Sequence, residues 1–370
     1  MLRIAVIGAG IVGASVAFRL AWSGEVRVWI VDRSLPGSGT TSASFAWANA
    51  NNKTPRDYFE LNRAGLEEHF RLRDELGSAP WLYPRGNIEW AEDAATLEGL
   101  ERRIERLRSW GYAAEWWKAS RVNEILEPNV AFPSLDTPVA FFPHEAWVDA
   151  PRLASTLVEL AGQGGAETRF GSAVEEVETE SERVSALRLK GGERLPVDAV
   201  VNAAGPGADR VAELLGLSLP LESSKGLISR LAVEGLPIGR LVHSQYVNLR
   251  PDGPGRVVLN HGWADQKLES DNARTEDSLS HELLKHARRV VPALESAEVE
   301  EVRVGVRPMP EDGRSCVGAV GELPGYYEAV THSGVTLGPL LGRLLAWEIL
   351  SGEVNDLISP FRPDRFARTR

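Results

Sequence analysis

Residues 4–32 read Ile4-Ala-Val-Ile-Gly8-Ala-Gly10-Ile-Val-Gly13-Ala-Ser-Val-Ala-Phe-Arg-Leu-Ala-Trp-Ser-Gly-Glu-Val-Arg-Val-Trp-Ile-Val-Asp32. A strand-like run, Leu2–Ile7, leads into G-x-G-x-x-G. An alanine-rich helical stretch, Ile11–Leu20, follows, and a second apolar run, Val26–Val31, ends on an acid. In that context each glycine has a mechanical task. Gly8 permits the tight turn out of the first strand, Gly10 lets backbone approach a pyrophosphate, and Gly13 lets helix and strand pack closely. The helix that starts here turns its unpaired N–H groups and positive dipole end toward the phosphates. Asp32 stands where a carboxylate accepts hydrogen bonds from an adenosine ribose, which favours FAD or NAD over NADP. The fingerprint by itself leaves FAD and NAD both open.

Outward from this stretch, 370 residues are enough for two domains or one large composite, and 43% apolar residues support a sizeable core. The net charge of −11 is scattered, with no basic stripe, which argues against a nucleic-acid partner. A single cysteine, Cys316, excludes an internal disulfide. The seven histidines form no H-E-x-x-H motif, and His281 and His286 do not share a helical face, so no metal site is expected. The N-terminus lacks the basic lead of a signal peptide, and Gly8, Gly10 and Gly13 interrupt its apolar stretch. No run of about 18 apolar residues occurs, so no integral membrane segment is expected. These features lead us to expect a soluble, cytoplasmic protein.

Along the chain, Pro36–Ser44 is a loop of small and hydroxylated residues. Helices are predicted over Pro55–Leu76, Glu92–Trp110, Lys118–Leu126, Arg152–Gln163, Asp277–Val291 and Pro339–Leu350. Leu82–Trp90 reads as strand, turn, strand around Arg85-Gly86-Asn87. Val197–Asn202 is almost wholly apolar, as at the centre of a parallel sheet. Ser229–Val233, Tyr246–Arg250, Val257–Asn260 and Val299–Arg307 look like antiparallel strands. The expected fold class is therefore α/β: a Rossmann-like domain interleaved with an α+β domain built on an antiparallel sheet. Residues 1–59, 146–220 and 305–370 would bind the cofactor, and 60–145 and 221–304 the substrate.

Three segments together carry a family resemblance: Gly8–Asp32 with the Gly37–Ser44 loop, Asp198-Ala-Val-Val-Asn-Ala-Ala-Gly-Pro-Gly-Ala208, and Gly305-Val-Arg307-Pro-Met-Pro-Glu-Asp-Gly313 continuing to His332-Ser-Gly334-Val-Thr336-Leu337-Gly-Pro339. In order and spacing the chain resembles the D-amino acid oxidase-like FAD oxidoreductases, the group of glycine oxidase, sarcosine oxidase and D-amino acid dehydrogenase. The resemblance implies FAD, with Gly8, Gly10, Gly13, Asp32, Arg33, Thr40, Thr41, Ser42, Val174, Ala204 and Gly205 along it. Gly334, Thr336 and Leu337 would set a helix N-terminus against the flavin's pyrimidine edge, where a helix dipole contributes roughly 0.3–1 kcal/mol toward negative charge.

The same resemblance gives Arg307 the substrate carboxylate, a task suited to the guanidinium fork. Arg303, four residues away on the same sheet face, is the competing arginine. The implied reaction is hydride transfer from an amino acid or related amine to flavin N5, giving an imine that water hydrolyses, with oxygen or a quinone-type carrier as final acceptor. A dehydrogenase of a 2-hydroxy acid or glycerophosphate is the alternative. The chain departs from glycine oxidase-like enzymes where they carry a tyrosine three residues before a proline: Asn248 stands there, with Tyr246 two residues earlier, and both are candidate substrate contacts. Phe45–Lys53, with Asn49, Asn51, Asn52 and Lys53, suggests a polar pocket for a substrate with additional polar groups. Cys316 does not match the flavin attachment position of sarcosine oxidase-like enzymes, so noncovalent FAD is expected.

Overall fold

The computed structural model describes residues 1–235, 237–270 and 275–366. Its first layer is a six-stranded sheet in the order Cys316–Ala319, Tyr326–Val330, Ala199–Asn202, Leu2–Ile7, Val26–Asp32, Glu167–Phe170. All neighbours are parallel except the Cys316–Ala319 edge strand. Ala199–Asn202 is fully buried between two parallel neighbours, which explains its lack of alternation. The Leu2–Ile7 strand continues to the helix Ile11–Ser23 and then to its neighbour on one side, while Ala199–Asn202 lies on the other. The crevice at the C-terminal ends of these strands is thus a topological switch point.

Three helices cover this sheet: Ile11–Ser23 lies against Ala150–Gln163 and Gly334–Ser351. The last pair crosses closely because Gly342 has no side chain; a Cβ there would lie 2.6 Å from Ser15. The final helix begins at Gly334, five residues before the predicted start at Pro339. Pro339 lacks the N–H that would bond Val335 O, and the buried His69 ring occupies that acceptor instead, Nε2 donating at 2.8 Å. His69 belongs to the helix Arg56–Leu76, which approaches this turn at Gly65, where a Cβ would sit 2.8 Å from Thr336 O.

The second layer is an eight-stranded sheet in the order Glu298–Pro310, Leu221–Ala232, Arg256–Asn260, Asn248–Pro251, Leu241–His243, Asn87–Trp90, Pro138–Phe142, Glu115–Lys118. It is antiparallel except for the pair Leu241–His243 and Asn87–Trp90. Alternation decides its two faces. Ile88, Val242, Leu249 and Leu259 pack with Leu279 and Leu283 of the helix Glu276–Val290. Glu89, His243, Asn248 and Asn260, each adjacent in its strand to one of these, face the other way, toward the cavity described below. The predicted Leu82–Trp90 hairpin divides between sheets. Leu82–Tyr83 pairs with Ala146–Val148, whose other neighbour is Trp47–Ala48, while Asn87–Trp90 joins the eight-stranded sheet. Gly86, at φ +82°, makes the bend between them. Among the described residues no helix is long and apolar enough to cross a membrane.

Candidate active site

Two cavities meet at Thr40, which lines both. The first, about 600 Å³, is the switch-point crevice. Gly8, Gly10, Asp32, Arg33, Thr40, Thr41, Val174, Ala204 and Gly205 line it. Its floor is a cradle that side chains would fill: a Cβ on Gly8 (φ +108°) would stand 2.2 Å from Ala203 O, and one on Gly10 3.3 Å from Thr41 Oγ1. Gly13 is not in the lining and acts behind it, since a Cβ there would lie 1.9 Å from Gly8 O. Thr41 Oγ1 accepts the Ile11 N–H at 3.2 Å, one of the unpaired donors of the helix start. Asp32 accepts from Ala9 N at 2.7 Å through Oδ2 and from Ser34 N at 2.8 Å through Oδ1. Each carboxylate oxygen retains a lone pair for an outside donor. A glycine-floored crevice with an acid at the end of the second strand fits the adenosine half of a dinucleotide.

Ser42 does not join this lining. Its hydroxyl donates to Ser38 O and Gly39 O, and the residue borders a charged groove with Arg230 and Arg303. Thr40 Oγ1 donates to Val306 O at 2.7 Å, tying the loop to the strand that carries Arg307. Because the last helix starts at Gly334, the Leu337 N–H is already given to Ser333 O at 2.9 Å. The donors left at this helix end are those of Gly334, Val335 and Thr336, so Leu337 drops out of the expected set. Thr336 Oγ1 instead accepts from Asn49 N at 3.3 Å.

Beside that helix end lies Lys53, its Nζ donating to Ser333 Oγ at 3.0 Å. Burial lowers its pKa to about 8. No carboxylate among the described residues lies within ion-pair distance of it. A half-buried cation and a helix N-terminus therefore converge without an anionic partner among the described residues, which fits a cofactor that becomes negative on reduction.

The second cavity, about 410 Å³, lies against the polar face of the eight-stranded sheet. Arg307 lines it. The guanidinium sits over Gly226, where a Cβ would be 2.5 Å from Nη2. Nη2 donates to Asp265 Oδ2 at 2.6 Å, and Nη1 donates to Lys225 O at 3.0 Å. Asp265, on the helix Gly262–Ser270, also accepts the Leu227 N–H at 2.8 Å. Arg303 instead pairs with Glu301 in the charged groove.

Asn248 lines the cavity, with Nδ2 donating to Asn260 Oδ1 at 3.2 Å. Tyr246 does not. A turn closed by Ser244 precedes the strand, so alternation does not extend back to Tyr246. Its ring stacks on His286 at 5.2 Å and 13° and is 41% exposed. Of the polar Asn49–Lys53 stretch only Asn52 lines this cavity, its Oδ1 accepting from Arg103 at 2.7 Å. Asn51 is fully buried, and among the described residues its amide has no hydrogen-bond partner.

Glu89, His243, His261, Asn260 and Ile228 are walls the sequence did not single out, while Phe45 and Trp47, from the Phe45–Lys53 segment, supply most of the apolar side. Burial lowers the pKa of His243 to about 3, His261 to about 4 and His332 to about 3, so all three rings are neutral at pH 7. Behind Trp47 lies Glu145, fully buried, accepting from Trp47 Nε1 and Tyr112 Oη at 2.8 Å each. Burial pushes this carboxyl up to about 8, so it is mostly protonated at pH 7 and braces the wall without a charge. The alternation in Val257–Asn260 and Asn87–Trp90 was the available signal for these residues, but the register joining the strands is not local.

A family model described as DAO, FAD dependent oxidoreductase, matches residues 3–347. The uncharacterized oxidoreductase YurR of Bacillus subtilis (strain 168) is 29% identical over 97% of this chain and 97% of its own length. Glycine oxidase of Geobacillus kaustophilus (strain HTA426) is 27% identical, over 97% and 95%. The crystal structure of a glycine oxidase from Geobacillus kaustophilus superposes with a TM-score of 0.85 at 25% identity, covering 98% of both chains. Iminodiacetate oxidase from Chelativorans sp. BNC1 gives a TM-score of 0.83 at 26% identity, covering 98% of this chain and 99% of the other.

Proposed function

This chain belongs to the DAO family of FAD-dependent oxidoreductases, and from that premise we propose that it oxidises the C–N bond of an amino acid or related amine. The observation that carries the reading is Arg307, a guanidinium in a small, partly apolar cavity that adjoins the dinucleotide crevice at Thr40. Its fork suits a substrate carboxylate. Since Asp265 already engages Nη2, a carboxylate arriving from outside either shares the guanidinium or replaces Asp265. Anchoring this end fixes the α-carbon, and orientation of the reacting bond supplies much of the catalysis. Phe45, Trp47 and Ile228 exclude water from one side. FAD, when bound, supplies the acceptor for the hydride leaving the α-carbon. The neutral histidines are not required as bases, because an amine that enters with a neutral nitrogen gives its hydride directly, and the resulting imine is hydrolysed by water.

Gly8, Gly10, Asp32, Arg33, Thr40, Thr41, Val174, Ala204 and Gly205 would hold the adenosine and pyrophosphate portion. The N–H groups of Gly334 and Thr336, with Lys53, would face the pyrimidine edge and favour negative charge there. Residues 1–59, 146–220 and 305–370 form the cofactor-binding part in this reading, and 60–145 and 221–304 the substrate-binding part. FAD is held noncovalently, since Cys316 is buried and lines neither cavity. Acid precipitation should release all flavin into the supernatant. The final acceptor is oxygen or a quinone-type carrier, and the compartment is the cytoplasm.

The deciding experiment is anaerobic flavin bleaching against D-, L- and N-methyl amino acids and their 2-hydroxy counterparts. Bleaching by an amine is the expected result. Bleaching by 2-hydroxy acids alone would overturn the assignment in favour of a hydroxy-acid dehydrogenase.

A further inference from the structure

Four polar side chains form one row across the eight-stranded sheet. Asn260 pairs in register with Asn248, Asn248 with His243, and His243 with Glu89. All four line the cavity that Arg307 borders. Adjacent strands lie about 4.8 Å apart, so the row extends roughly 14 Å from Asn260 to Glu89. The Arg307 guanidinium lies over Gly226, on the strand next to that of Asn260, and so stands just beyond one end of the row. A compact amino acid anchored at Arg307 leaves most of this row untouched.

The row's own bonds leave specific atoms facing the cavity. Asn248 Nδ2 donates to Asn260 Oδ1, which leaves Asn248 Oδ1 as an acceptor and three amide N–H hydrogens, two of them on Asn260. Reversing both amides leaves the same inventory. His243 donates from Nδ1 to Asn87 Oδ1 at 2.7 Å, and its ring rests 4.3 Å from Trp47. Glu89 ion-pairs with Arg103 through Oε2, while among the described residues its Oε1 accepts no hydrogen bond. The cavity lining holds one arginine, Arg307, and one carboxylate, Glu89, toward opposite ends.

Resting on the amine-oxidation reading, we propose that the substrate is a monocarboxylate amino acid with a long polar arm. Its carboxylate binds Arg307, a hydrogen-bonding group midway meets the Asn248–Asn260 amides, and a cationic tip reaches Glu89 Oε1. A second carboxylate at the tip would have to compete with Glu89 for Arg103, so dicarboxylic amines are disfavoured.

The test is kcat/KM of the holoenzyme for glycine and for straight-chain amino acids of equal length with methyl, carboxamide, carboxylate or ammonium tips, in both stereoisomers. The ammonium tip should exceed the methyl tip by roughly 10- to 100-fold, the range of a hydrogen bond to a charged group. Glu89→Gln should collapse that ratio toward one, and Asn248→Leu should lower the carboxamide-to-methyl ratio. Flavin absorbance and thermal melting identify any variant that fails to fold, in which case Glu89→Asp serves for the ratio. Glycine or the carboxylate tip as best substrate, or a tip preference unchanged in Glu89→Gln, overturns the proposal while amine oxidation stands. Failure of every amine to bleach the flavin overturns both.

Discussion

The two cavities that meet at Thr40 recognise by different means. In the crevice at Gly8–Gly13 the chain offers backbone and small residues, and the critical dimension is the space left by absent side chains. Over the eight-stranded sheet the walls are side chains from six strands, held by ion pairs and amide bonds. A ligand gripped through backbone tolerates little change in the residues that clear the way. A ligand gripped through side chains can be exchanged for another by altering single positions in a fixed sheet. One scaffold can thus keep its cofactor while its substrate varies.

The strongest attempt to break this contrast is Gly13→Ala. Its Cβ would collide with Gly8 O, an atom of the rigid turn. We expect loss of at least about 3 kcal/mol of stability and protein that elutes from desalting without flavin absorbance. Full flavin occupancy would contradict the cradle. Arg307→Ala tests the other side. Turnover of carboxylated amines should fall by roughly 3–5 kcal/mol in kcat/KM, the range of two hydrogen bonds to a charged group, while flavin stays bound. An unaltered kcat/KM would remove the carboxylate anchor from the argument.

Glu145→Gln probes the brace behind Trp47. The folded carboxyl titrates near 8 and the unfolded one near 4.5, so its contribution is complete below pH 4.5 and lost as pH rises toward 8. The melting temperature of the wild type should therefore fall between pH 5 and pH 8, and more steeply than that of the variant. The difference should be a few kcal/mol at most. Glu328, buried and likewise raised to about 8, keeps some slope in both proteins. Equal slopes would show that Glu145 is ionised in the fold. Thr40→Val is the mildest change. It removes the bond to Val306 O, the link between the two cavities, and should cost about 1 kcal/mol in chemical denaturation.

The same contrast decides what could be read in advance. Gly8, Gly10 and Gly13 were legible because each answers a local demand on backbone shape, and Asp32 because it closes the second apolar run. The start of the last helix was misplaced because Pro339 looks like a first-turn residue. The histidine that satisfies Val335 O stands in another helix, far away in sequence. Tyr246 was assigned by counting alternation through a segment that is a turn. The pairing of Glu89 with His243 joins distant strands, and Asp265 reaches Arg307 from a short helix whose pattern announces nothing. Arg307 itself was legible only through its neighbours Gly305 and Pro308.

The order of strands in the parallel sheet has a consequence for synthesis. Leu2–Ile7 leaves the ribosome first, but Ala199–Asn202, its partner on one side, lies almost two hundred residues downstream. That partner in turn waits for Tyr326–Val330. The helix that shields Ile11–Ser23 arrives later still, as the last long element of the chain. A nascent chain must hold Leu2–Ile7 and Ala199–Asn202 in an incomplete state until Tyr326–Val330 has been made. Shortened by its last forty-five residues, the protein would lack both a central strand and the roof over its first helix, a natural substrate for chaperones and proteases.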